Sequence, residues 1–287
     1  MVEPKLHHFV PQFYLRQWCN SRRKLWVYSV DGSAPFCASP RKFAAEKKLY
    51  TPKNGAAAVR ADTESWFSGW ESHFAKVWPA IVDRADNPET RANVARFIAT
   101  LVARHPIGRD GIGKLNAYFL RISEGLSSDE QLTYRGREGE MQIKVSEIRQ
   151  LARTDAESVR TDFIRIMPAL SRTLANALIS RRWGVVFSEN QDFVTSDNPV
   201  VLNRAASREQ TYGFGTPGTM VNFPVSPWRF IVIADEWELP FCHYKLDDAR
   251  VFVRRVVNAA RRFVFSASEN RFVAEAIQNR KHIKQER

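Results

Sequence analysis

DTESWFSGWESHFAKVWPAIV, residues 62–82, is the stretch on which the fold reading turns. Its large apolar residues, Trp66, Phe67, Trp70, Phe74, Val77, Trp78, Ile81 and Val82, recur at steps of three and four. That is the period of one helical face, and it predicts an amphipathic helix of roughly 20 residues. Downstream, Asn87-Pro88-Glu89 supplies an N-cap, a proline at the first helical position and an acid in the first turn. Val94, Phe97, Ile98, Leu101 and Val102 continue that second helix until His105-Pro106 stops it. A third helix is expected around 115–122, then an exposed polar loop, SEGLSSDEQLTYRGREGE. From Ser146 to Trp183 the apolar positions again keep to one face, with Pro168 expected to break or kink the helix.

Upstream of residue 60 the period is different. LWVYSVDGSAPFCAS alternates around Trp26 and Tyr28 before Asp31-Gly32, which predicts a hairpin. After the helices, strand character begins at GVVFS (184–188) and returns in DFVT (192–195) and RFIVIA (229–234). The last segment reads as helix at both ends with RFVFS as a strand between them. The order argues for an α+β domain, a helical central layer packed with short N-terminal and C-terminal β segments. A single domain, 1–287, is expected, β-rich over 1–60, helical over 61–183 and β plus helix over 184–287. The chain has 287 residues, 44% of them hydrophobic and 19 of them Phe, which is ample apolar surface to offset ordering entropy. No apolar run reaches about 18 residues and the start lacks the order of a secretory signal, so a soluble, cytoplasmic protein is expected, away from membranes. Cys19, Cys37 and Cys242 lie far apart without a CxxC pair, which supports neither a disulfide framework nor a zinc finger.

The formal net charge is +12, and its distribution says more than its size. Residues 1–48 hold nine basic and three acidic side chains and residues 250–287 hold ten and three, while the middle holds 24 and 25. An excess confined to both ends makes one positive field if the termini meet, and a polyanion is its natural partner. The expected nucleic-acid footprint is Arg22, Arg23, Lys24, Arg41, Lys42, Lys47, Lys48, Arg254, Arg255, Arg261 and Arg262. The bland reading is a solvated basic face. Trp18, Trp26, Tyr28, Tyr50 and Phe263, aromatics within basic stretches, are the candidates for base stacking.

Three constellations could carry chemistry. His7-His8 precedes an aromatic run, and since adjacent residues of an extended segment face opposite ways, one site normally uses only one of them, as acid/base or metal ligand; the competing account is a packed, hydrogen-bonded histidine under the aromatic cluster. Thr195-Ser196-Asp197-Asn198-Pro199 follows a predicted strand; Asp197 is either a turn-former bonding backbone amides or a functional carboxylate at a strand end. Glu71 and Arg104 each border the buried stripe of a helix, and a charge there is costly unless paired, so they are expected to pair with each other, with Asp197 or with a histidine. A structural salt bridge is the competing account of that pair. GFGTPG (213–218) lacks the lysine of a phosphate loop and reads as a plain loop. There is no GxSxG, no HExxH and no H-x-E with a later CxxC, so serine hydrolases, zincins and zinc deaminases gain no support.

These residues resemble a family of bacterial and phage domain-of-unknown-function proteins that open with HHxVPxxYLxxF and later carry SDxPV. The opening motif stands here as His7 to Trp18, with Trp in place of the usual Phe, and the second as Ser196-Asp197-Asn198-Pro199-Val200. The resemblance extends to Glu46-Lys47-Lys48-Leu49-Tyr50, to Glu71 and Arg104, to Phe223-Pro224-Val225-Ser226-Pro227, and to a helical Asn that Asn258 fits. It implies that His7, His8, Glu71, Arg104, Asp197 and Asn258 form one recurrent polar set. It implies no activity.

The leading functional expectation is a nuclease acting on DNA or RNA, of a defence or toxin type. In it a histidine is general base or metal ligand, Asp197 and Glu71 are ligands or orienters, and Arg104 stabilises phosphate charge. A divalent cation such as magnesium is compatible with one or two carboxylates. The alternatives are a non-catalytic nucleic-acid- or partner-binding protein with a buried polar network, and an enzyme acting on a nucleotide such as NAD.

Overall fold

The computed structural model describes residues 6–51, 57–83, 88–136, 139–190, 192–204, 213–235, 243–245 and 249–285. The decisive stretch forms α2 (Ala57–Asp83), which is followed by α3 (Pro88–Arg104), as the three- and four-residue spacing predicts. Phe74, Trp78 and Ile81 of α2 are buried, and Trp78 meets Phe97 of α3 with ring centroids 4.6 Å apart. Behind α3 lies α6 (Ala156–Ile179), whose Phe163, Ile164 and Met167 are buried in the same core as Val94, Ile98 and Leu101. Burying each of these side chains stabilises the fold by about 1.5–3 kcal/mol before entropy is counted.

The helical layer rests on a five-stranded sheet of β7 (Arg182–Phe187), β9 (Val201–Arg204), β10 (Thr219–Ser226), β11 (Arg229–Ala234) and β12 (His243–Lys245), in the order β12-β7-β11-β10-β9. All its pairings are antiparallel except β12 with β7. Strand alternation divides β11 between two cores. Ile231 and Ile233 face the α2–α3–α6 side, while Phe230 and Val232 join Phe252, Val253 and Val256 of α7 (Arg250–Ala259) and Val273 of α8 (Arg271–Gln285). The expected α+β class is the observed one.

A second antiparallel sheet ties the ends of the chain together. Its strands are β2 (Leu25–Ser29), β3 (Phe36–Ala38), β8 (Thr195–Ser196) and β13 (Phe263–Ser266), in the order β3-β2-β13-β8. The predicted hairpin is β2–β3, with Gly32 taking the positive φ its turn requires. The short pair β1 (Leu6–His8) and β4 (Ala45–Lys47) closes over the helices, and a tight pair of turns, α1 (Gln12–Leu15) and Arg16–Trp18, carries the rest of the opening motif.

Four local expectations are corrected. The polar loop expected after the third helix contains a hairpin, β5 (Gln131–Gly136) with β6 (Gly139–Lys144); Leu132 and Ile143 pair across it between polar neighbours, an alternation masked by overall polarity. Pro168 does not interrupt α6; burial of residues on both sides of it offsets the cost of about 3 kcal/mol, and the break falls instead between α5 (Val145–Leu151) and Asp155, whose carboxylate accepts from the Ser158 N–H at 2.9 Å. Pro106 ends one helix and begins the next, α4 (Pro106–Ser123), so the third helix is longer than expected. Of DFVT only Thr195 is in a strand. Asn87 and Cys242 lie outside the described residues. Among the described residues no helix is long and apolar enough to cross a membrane.

Candidate functional site

The two histidines of the opening motif part company, as alternation along β1 requires. His7 is buried, its ring stacked on Tyr50 with centroids 5.3 Å apart, and its Nδ1 accepts the Tyr50 backbone N–H at 2.9 Å. That bond occupies the lone pair of the neutral ring. His8 is half-buried, with Nε2 3.0 Å from the Arg41 carbonyl. A carbonyl can only accept, so Nε2 carries a proton, and in the neutral ring the lone pair is on Nδ1.

Beneath them, Arg104 is only 2% exposed. Its Nη1 donates to Glu71 at 2.8 Å, its Nη2 to the His8 carbonyl, and its guanidinium lies 4.8 Å from the Phe67 ring centroid. The expected pairing of Glu71 with Arg104 is thus present, and Glu71 keeps 42% of its side chain in solvent. The Tyr50 hydroxyl donates to the Arg104 carbonyl at 2.7 Å, and burial pushes its pKa well up despite the opposing pull of Arg104.

Asp197 joins this set through its neighbours. Its carboxylate accepts three backbone N–H groups, Arg261 at 2.8 Å on Oδ1 and Arg262 and Phe263 at 2.8 and 3.2 Å on Oδ2. Burial pushes the carboxyl up, and those bonds with the Arg261 charge pull it part of the way back. Its carbonyl receives the Nε2–H of His105 at 2.8 Å, while His105 Nδ1 caps α4 by accepting the Ile107 N–H. Burial is the main cause lowering the His105 pKa to about 4, so this ring is neutral at neutral pH. Asn258 is exposed at the end of α7 and takes no part in these bonds; Asn198 instead reaches the Ala259 carbonyl at 3.0 Å.

A half-exposed chain of charges borders the set. Glu46, beside His7 across the β1–β4 pair, binds Arg109, which holds Asp110 at 3.0 Å, which holds Arg261 at 2.9 Å. Glu46, His105, Arg109 and Asp110 are additions that the candidate list lacks. Glu46 and Tyr50 sit in the quoted EKKLY stretch, but Arg109 and Asp110 look like ordinary polar residues near the start of α4. The motifs also clasp one another: the buried Tyr14 hydroxyl lies 2.8 Å from Thr195 Oγ1 and donates to the Pro224 carbonyl at 2.7 Å.

The basic ends meet through β2 and β13, but the register spreads them. Ser29 pairs with Phe263 and Trp26 with Ser266, so Arg261 and Arg262 lie at one end of the sheet and Arg22, Arg23 and Lys24 at the other. Arg41, Lys42, Lys47, Lys48 and Arg254 are exposed; Arg41 is held at His8 by its carbonyl. Arg255 is half-buried, bonded to Asn222 at 2.9 Å, and burial lowers its pKa, so it serves the core.

A magnesium site does not fit these donors. Both Asp197 oxygens face N–H groups and Glu71 faces a guanidinium, and among the described residues no three His, Cys, Asp or Glu side chains converge to hold a metal ion. Comparison with protein families finds one match, a model described as a protein of unknown function (DUF4238), over residues 6–274. No curated protein and no solved structure matches the chain.

Proposed function

The chain belongs to the DUF4238 family, whose function is unknown, so its activity has to be read from its own site, and we propose that it is a ribonuclease with His8 as general base. The observation that carries this reading is the fate of three ring lone pairs. His7 Nδ1 is taken by Tyr50 and His105 Nδ1 by Ile107, whereas the carbonyl of Arg41 fixes His8 with its lone pair on Nδ1. A single histidine base without a fitting metal set suits RNA, because the 2′-hydroxyl is a nucleophile already placed beside the phosphate. His8 takes the 2′-hydroxyl proton, the O2′–P bond forms, the P–O5′ bond breaks, and the leaving oxygen takes a proton from water. Arg41, Lys47 and Arg262 supply phosphate contacts, and Glu71 and Arg104 hold the His8 backbone in place.

The test is cleavage of labelled RNA and DNA in the presence of a chelator, with melting measured on the same samples. RNA alone is expected to be cut, leaving 2′,3′-cyclic phosphate ends, and His8→Ala to abolish cutting while shifting the melting temperature little. Cutting that survives in His8→Ala sinks the assignment. A second reading, a non-catalytic nucleic-acid-binding protein of the same family, is favoured by the saturation of Asp197; it requires RNA binding that falls steeply with salt and no cleavage.

A further inference from the structure

Helix α4 is apolar on two sides, and only one of them is used by the fold. Its inner face lays Gly108 against Phe163 and Gly113 against Val159 of α6. On the outer face Ile107, Gly111, Leu115, Tyr118 and Ile122 are all exposed. Their spacing of i, i+4, i+8, i+11 and i+15 is a single stripe along about 22 Å of helix. Beside this ridge runs a groove of about 440 Å³ between α4, the β5–β6 hairpin and α5, lined by Leu115, Phe119, Met141, Ile143, Ile148 and Leu151. Leu115 is 52% exposed, Met141 65% and Leu151 64%.

We infer that this face is the interface of a homodimer, with the α4 ridge of one copy seated in the α4–hairpin–α5 groove of the other about a two-fold axis. Shape argues for a second copy. A two-fold contact requires one surface to carry both knob and hole, and here the same helix supplies the ridge and one wall of the groove. Gly111 in the middle of the stripe has open space where a Cβ would stand, which lets two helices approach closely.

Charge argues the same way. Residues 106–157 hold eight basic and nine acidic side chains, leaving 35 basic and 22 acidic in the rest of the chain. Two copies can meet across this near-neutral unit without the repulsion that the basic ends of the chain would impose, whereas a polyanion is drawn to those ends. Area is sufficient. At about 200 Å² for each large apolar side chain, the exposed fractions of Ile107, Leu115, Tyr118, Ile122, Met141 and Leu151 leave roughly 600 Å² open, close to the ~800 Å² per partner of a standard interface. The contact is independent of the His8 chemistry.

Sedimentation velocity on the full chain tests it. The wild type is expected to sediment as a dimer, at twice its 33.0 kDa, and because apolar contact opposes like-charge repulsion the dimer strengthens as salt rises. RNA binding changes with salt in the opposite direction, so failure of one reading is distinguishable from failure of the other. Leu115→Glu and Leu151→Glu, at exposed positions, are expected to give monomers with unchanged far-UV circular dichroism. Leu115→Cys with Cys37→Ser provides a measurement that does not depend on a charged variant folding, as an oxidant should then link two chains covalently in the dimer and should not do so with Cys37→Ser alone. A wild type that stays monomeric at about 100 μM in high salt, or a dimer that survives both glutamate variants, overturns the inference.

Discussion

Asp197→Asn separates framework from chemistry at the SDNP turn. The wild-type carboxylate receives N–H groups from Arg261, Arg262 and Phe263 and is 2% exposed. An asparagine keeps one acceptor oxygen. With that oxygen toward Arg262 and Phe263, its amide nitrogen faces the Arg261 N–H and strands it, at about 1–3 kcal/mol. The two remaining bonds also fall from charge-assisted to neutral strength, while loss of the buried charge returns part of the desolvation penalty. The net expectation is a loss of about 1–3 kcal/mol, and at about 2–4 °C per kcal/mol for a chain of this size the melting temperature falls by roughly 2–12 °C. Calorimetry at one protein concentration and RNA cleavage on the same preparation, below the onset of melting, form the assay. Cleavage should persist in proportion to the folded fraction. A variant that melts within about 1 °C of the wild type yet has lost all cleavage refutes the reasoning and puts the Asp197 carboxylate in the chemistry.

Acid should destabilise the protein through His105. Its folded pKa of about 4 lies below the ordinary 6.5, so the stability it confers is complete above pH 6.5 and drains away as pH falls toward 4, by up to roughly 3 kcal/mol; melting followed over that range should lose much of its slope in His105→Gln. Arg104→Met should cost about 2–4 kcal/mol in chemical denaturation, the lower end because Glu71 is half in water once its partner is gone. Among the basic residues, Arg262→Ala should weaken RNA binding and flatten its salt dependence with little change in melting, while Arg255→Ala should lower the melting temperature because it strands Asn222; the reverse pattern would overturn the division of these side chains.

The sequence alone determined the main helices, the first hairpin and which of their faces are buried, because periodicity is a local property, while the polar β5–β6 hairpin escaped it. The spacing over 62–82 specified α2, the alternation around Trp26 and Tyr28 specified the β2–β3 hairpin, and charges bordering apolar stripes announced that Glu71 and Arg104 needed a partner. That pair aside, partners on other elements were not legible. Nothing near Asp197 in the chain says that its oxygens meet amides more than 60 residues away, since backbone N–H groups carry no residue identity. The division between His7 and His8 follows from alternation, but which ring loses its lone pair depended on Tyr50 and Arg41 arriving from distant segments. Pro168 shows the opposite limit. Its local cost was correctly read, and packing against α3 on both sides outweighed it, because the burial of several large side chains exceeds the loss of one hydrogen bond.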